Sequence, residues 1–204
     1  MTATETTTAA TRYPALARPE AFTAEPLGWV PWLEPLSVAD FEERHWEGVV
    51  DRRRAASPYF ALLARDPEVL AARTKTDNDI FSGAGGGLPR WERELAAAAA
   101  SRRNGCVFCA SVHARFAARL SKRPDDVQRL VGEGVGARVD ERWDALVDAA
   151  VALTETPAEF GPADVERLRA QGLDDVGIAD VIHGAAFFNW ANRLMLSLGE
   201  PEVP

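Results

Sequence analysis

The sequence predicts an all-α fold of about eight helices, and three observations predict it. No segment alternates apolar and polar residues convincingly enough to be a strand. Residues recur at helical spacing, as Phe41, His45 and Val49 do at intervals of four. Ser57-Pro58 and Asp66-Pro67 each place a capping residue before a proline. That pairing marks a helix start, because proline's missing N–H at the first helical position has no intrahelical partner to lose.

The elements follow in order. Residues 1–35 are rich in Thr, Ala and Pro, with Pro14, Pro19, Pro26, Pro31 and Pro35, and read as a disordered tail passing into an extended arm. Trp29 and Trp32 are expected to dock the second half of that arm on its own core or on a neighbouring subunit. Residues 36–200 form a single helical domain. Ser37 is expected to cap its first helix. The segment from Pro67 reaches about Phe81 and breaks at Ser82-Gly83-Ala84-Gly85-Gly86-Gly87. Pro89 starts a helix carrying Glu94 and the Ala96–Ala100 run, and Asn104-Gly105 ends it, since both residue types tolerate left-handed backbone. Cys106 opens the next helix, to about Leu120. Pro124–Val131, Asp140–Thr154, Pro162–Ala170 and a long apolar helix from Asp174 to Leu198 complete the domain.

Composition bounds the function. A chain of 204 residues with 47% hydrophobic and 26% charged residues is an ordinary globular protein. No apolar run approaches the ~20 residues of a membrane span. Met1–Ala10 has neither the basic start nor the apolar stretch of a secretory signal, so a cytoplasmic protein is expected. A net charge of −8 argues against nucleic acid as the main partner. Arg52-Arg53-Arg54 sits beside Asp51 and Glu47 and is read as a solvated helix face.

The two cysteines lie three residues apart in Asn104-Gly105-Cys106-Val107-Phe108-Cys109-Ala110-Ser111-Val112-His113. That is no disulfide scaffold; a close pair of this kind is redox-active or metal-binding. With Glu94 upstream, the pattern is Glu-x11-Cys-x2-Cys-x3-His. A helix turns about 100° per residue, so positions 106, 109 and 113 share a face. The first turn has free N–H groups and the positive end of the helix dipole, both of which favour thiolate. His113 can relay a proton. Glu94 can reach the same spot if its helix packs antiparallel across the Asn104-Gly105 turn. A thiolate, a proton source and a second thiol to trap a sulfenic acid are what a thiol peroxidase needs.

The signature Glu94, Cys106, Cys109, His113 resembles that of the AhpD-like alkylhydroperoxidases of the carboxymuconolactone decarboxylase superfamily. The likeness covers about residues 55–200. It takes in Trp91-Glu92-Arg93-Glu94-Leu95 and Pro124-Asp125-Asp126-Val127, and Phe187-Phe188-Asn189-Trp190-Ala191-Asn192-Arg193 is similar to a stretch of the peroxidase-related branch. The resemblance implies an all-helical fold assembling into a dimer, trimer or hexamer. It implies Cys109 as peroxidatic cysteine, Cys106 as resolving cysteine facing the external reductant, and Glu94 and His113 as the proton relay. The substrate would be an organic hydroperoxide or another small molecule, and the reductant a dithiol, lipoylated or thioredoxin-like. No cofactor is implied beyond a redox-active Cys106–Cys109 disulfide, and no metal, nucleic acid or membrane. Phe108 stands where well-known family members carry a further His, which thins the relay. The decarboxylase branch lacks the cysteine pair, so its activity is not implied.

Competing readings accompany these. A redox-sensing or structural oligomer with little turnover is the first alternative. A zinc-stabilised binding module held by Cys106, Cys109, His113 and Glu94 is the second. Ser82–Gly87 lacks the Lys-Ser/Thr of a phosphate loop and reads as a flexible connection or a lid. His183 and His45 read as core or interface histidines. Phe187, Phe188 and Trp190 read as core, interface or pocket wall. Asn192-Arg193 reads as a buttress of the site or a pin for the last helix.

Overall fold

Helix starts follow the local chemistry of the chain. The computed structural model describes residues 9–83, 85 and 87–204. Among these residues it contains nine α-helices: α1 (Glu43–Val49), α2 (Pro58–Leu63), α3 (Pro67–Ser82), α4 (Arg90–Arg103), α5 (Val107–Ser121), α6 (Pro124–Glu133), α7 (Glu141–Thr154), α8 (Pro162–Ala170) and α9 (Asp175–Leu198). Asp66, Asp140 and Asp174 cap α3, α7 and α9 by accepting the backbone N–H of Val69, Trp143 and Gly177. Proline occupies the first turn of α2, α3, α6 and α8. Ser37 differs from expectation. It caps only a 3₁₀ turn, Val38–Asp40, because Phe41 is extended and breaks the run before α1. Phe41 therefore stands outside the helix that buries His45 and Val49, and meets the His45 ring at a tilt, 5.5 Å between centroids.

Two short strands correct the expectation of none. β1 (Gly28–Pro31) pairs antiparallel with β2 (Gly199–Glu202), Trp29 opposite Pro201. Four residues containing Gly and Pro carry no readable alternation. A side chain at Gly199 would collide with the Val30 carbonyl and the Trp29 indole, so the pairing needs glycine there. The arm runs along its own chain: Tyr13 Oη donates to the Pro31 carbonyl at 2.7 Å, and Val203 N–H donates to the Ala17 carbonyl at 2.8 Å. Trp29 is buried, edge-on to Tyr59 at 5.4 Å. The first eight residues of the expected tail lie outside the described ones.

The centre of the fold is α4. It packs on α5, α7 and α9, and every residue from Glu92 to Ser101 is buried. The alanine run Ala96–Ala100 explains how one helix meets three: small side chains let helix axes approach. Gly105 makes the turn into α5 at φ +80°, while Asn104 stays in the right-handed region. Of the two residues expected to use left-handed backbone, only the glycine does. Among the described residues no helix is long and apolar enough to cross a membrane.

Candidate active site

The tight turn at Gly105 lays α5 back along α4, and this brings together residues 19 apart in sequence. His113 Nδ1 and Glu94 Oε2 lie 2.6 Å apart. Arg90, one turn before Glu94, donates from Nε to Oε1 at 2.9 Å, so both carboxylate oxygens are occupied. Glu94 is 1% exposed, a burial that a carboxylate tolerates only when hydrogen-bonded in this way. The His113 ring meets Phe188 edge-on at 3.9 Å and Phe81 at 5.2 Å. With Nδ1 held by Glu94, Nε2 is the nitrogen left to exchange a proton.

Glu94, His113 and Cys109 all line one cavity of about 380 Å³. Tyr59, Phe60, Phe81, Phe108, Val112, Phe116, Phe188 and Met195 supply its apolar wall. Arg54, Arg73, Asp77, Asn78, Ser82 and Arg90 supply its polar part. Such a mixture suits a small organic molecule with a polar end.

Both cysteines are free thiols. Cys106 is the N-cap of α5 and Cys109 is in its first turn. The two thiols differ in acidity. Cys106 is held below the usual thiol range, because it accepts the Cys109 thiol and the Cys109 backbone N–H against the cost of burial. Cys109 is pushed well above that range, first by its hydrogen bond to Cys106 and then by burial. Of the two thiols, Cys106 is therefore the more readily ionised. One expectation is corrected: Cys106 does not face outward to a reductant. It is 1% exposed and absent from the cavity lining; its N–H donates to the Ser101 carbonyl on α4 at 3.0 Å.

Three functional candidates escaped sequence reasoning or were left unresolved by it. Asn192 is fully buried, donates to Ser101 Oγ at 3.0 Å, accepts from Asn104 Nδ2 at 3.0 Å and favours the charged form of both thiols. It is a buttress of the cysteine pair. Arg54 departs from its two exposed neighbours, Arg52 and Arg53, and lines the cavity. Arg73, on α3, is buried there as well. Charge runs and single arginines carry no signal of direction in sequence. Other expectations shift too. His183 is exposed on α9 and is no core residue, whereas His45 is buried and accepts the Glu42 N–H. Phe188 walls the cavity; Trp190 is exposed. The lid reading of Ser82–Gly87 falls partly on Ala84 and Gly86, outside the described residues. Among the described residues no group of three or more His, Cys, Asp and Glu is placed to hold a metal ion. In this arrangement Glu94 and His113 bond each other.

Residues 67–156 match the model of the carboxymuconolactone decarboxylase family. A solved structure of an uncharacterized peroxidase-related protein from Silicibacter sp. TM1040 is 28% identical, covers 83% of this chain and 90% of its own, and has a TM-score of 0.68. An AhpD-core, peroxidase-related protein from Ralstonia eutropha JMP134 is 24% identical over 81% and 88% of the two chains, at a TM-score of 0.70. The apo debrominase Bmp8 shares the fold at 17% identity over 80% and 88%, with a TM-score of 0.65. Comparison with curated proteins returned no match.

Proposed function

We propose that this chain is a member of the AhpD-like carboxymuconolactone decarboxylase superfamily and a thiol-dependent peroxidase acting on organic hydroperoxides. The observation that carries the reading is that Cys109, His113 and Glu94 line one largely apolar cavity, with His113 and Glu94 joined at 2.6 Å.

A hydroperoxide entering the cavity meets Cys109, because Cys106 lies behind it. Cys109 passes its proton to His113, whose charged form Glu94 stabilises. The Cys109 sulfur attacks the terminal peroxide oxygen, the O–O bond breaks, and the alkoxide leaves with the proton from His113 as an alcohol. Cys109 is now a sulfenic acid. The Cys106 thiolate attacks its sulfur; the S–S bond forms, the S–O bond breaks, and hydroxide takes a proton to leave as water. An external dithiol, lipoylated or thioredoxin-like, returns two electrons and becomes a disulfide. With Cys106 buried, that reductant reaches the pair through the cavity. We place the reaction in the cytoplasm and in a homo-oligomer; α9 leaves Val176, Trp190 and Leu196 exposed for contact with another copy.

A second reading has its own observation. The raised Cys109 thiol holds little thiolate at neutral pH, which suits a slow redox sensor. Peroxide consumption with cumene hydroperoxide and a dithiol reductant separates the two. The peroxidase reading expects many turnovers in the wild type and none in Cys109→Ser. One equivalent consumed, with a Cys106–Cys109 disulfide left behind and unreactive toward the dithiols tried, supports the sensor.

A further inference from the structure

Two guanidinium groups on one wall of the cavity have more charge and more donors than their surroundings use. Arg54 and Arg73 share a single carboxylate, Asp77, which is 3.2 Å from Arg73 Nη1 and only within 4.0 Å of Arg54 Nη1. Arg54 Nη2 donates to Asn78 Oδ1 at 2.9 Å. Among the described residues, Arg54 Nη1 and Arg73 Nε have no hydrogen-bond partner although both are buried. The third arginine of the cavity, Arg90, is committed to Glu94. Phe60 lies under both guanidinium groups, 5.1 Å from Arg54 and 5.4 Å from Arg73, and holds them against one ring. The Arg73 side chain is 8% exposed. Buried donors left without acceptors are costly, and guanidinium forks match a planar carboxylate. Burial also weakens the hold of Arg54 on its proton, a cost that a bound anion would offset.

We infer that the cavity takes an organic hydroperoxide that also carries a carboxylate, seated on Arg54 and Arg73 while its apolar body lies along the aromatic wall toward Cys109. This rests on the peroxidase reading for the hydroperoxide half, but the anion seat can be tested without turnover. In the Cys109→Ser protein, calorimetry with 4-isopropylbenzoate and with neutral 4-isopropylbenzyl alcohol compares ligands of one shape. The carboxylate is expected to bind about tenfold or more tighter, the range of one charge-assisted hydrogen bond. Arg54→Gln should remove most of that preference and Arg54→Lys, which keeps the charge, should remove less; thermal midpoints establish that both variants are folded. Equal binding of the two ligands by the unsubstituted seat overturns the inference. In turn, the wild type should show a higher kcat/KM for cumene hydroperoxide bearing a para carboxylate than for cumene hydroperoxide itself. A carboxylate preference in binding without turnover of either peroxide would leave the seat standing and remove the peroxidase. Turnover of both without any preference would do the reverse.

Discussion

Helix α4 carries two buried glutamates with different employment. Glu92 and Glu94 are each 1% exposed. Two residues put them about 200° apart on the helix, so they serve opposite flanks. Glu92 takes both forks of Arg142, at 2.6 and 2.8 Å, and Arg142 goes on to the Gln171 carbonyl. It ties α4 to α7 and to the end of α8. Glu94 instead faces the cavity, bound to Arg90 on one oxygen and His113 on the other. Burial alone therefore does not distinguish the carboxylate held in an ion pair from the one proposed as part of a proton relay. The difference is His113: both glutamates hold an arginine, whose charge is permanent, but only Glu94 also holds a histidine, whose charge can move.

Substitutions can break this contrast or sharpen it. The largest effect is expected at Glu94. Glu94→Gln keeps the shape but weakens the stabilisation of charged His113, and should lower peroxidase kcat/KM by about 10²–10⁴-fold, the usual worth of a positioned proton relay. Its thermal midpoint should move much less than its activity. Glu92→Ala should do the opposite. Stability should fall by about 2–3 kcal/mol in urea denaturation, short of the full cost of breaking a buried pair because Arg142 is 37% exposed. Activity per folded molecule should hold. If both variants lost activity equally, the division of labour on α4 would be wrong.

A third test addresses the unequal thiols. Cys106→Ala removes the hydrogen bond that is the first cause of the raised Cys109 pKa. That pKa should fall, so alkylation of Cys109 by iodoacetamide at pH 8, read by mass spectrometry, should speed up. A slower reaction would mean that Cys106 activates Cys109 and does not suppress it. The smallest effect is expected far from the site. Arg18 and Glu200 form an exposed ion pair at 2.6 Å between the arm and β2. Arg18→Ala should leave the denaturation midpoint unchanged, since water replaces such pairs. Trp29→Ala in the same arm should cost about 3 kcal/mol, because the buried indole and not the salt bridge docks the arm.

Much of the fold was legible because it depends on neighbours in sequence. Asp66-Pro67 and Asp140 announce α3 and α7 through donors only a few residues away. The signature Glu94, Cys106, Cys109 and His113 was legible for the same reason: one tight turn separates the two helices that carry it. The strand pair was not, since β1 and β2 lie about 170 residues apart and neither has a pattern of its own. Ser37 misled because its cap is real while the helix expected behind it stops at Phe41.

The sequence by itself determined the helical class, most helix boundaries and the placement of Glu94, Cys106, Cys109 and His113 on two helices joined by one tight turn. Tertiary structure alone decided the rest. It decided that Arg54 turns inward while Arg52 and Arg53 stay in water, that Asn192 reaches the thiols from α9, and that Cys106 is closed off from solvent. The physical reason is range. Caps, turns and i,i+3 or i,i+4 spacing act through the adjacent backbone and leave a trace in local sequence. A buried hydrogen bond or a guanidinium turned into a cavity depends on which distant surfaces meet, and nothing local records that.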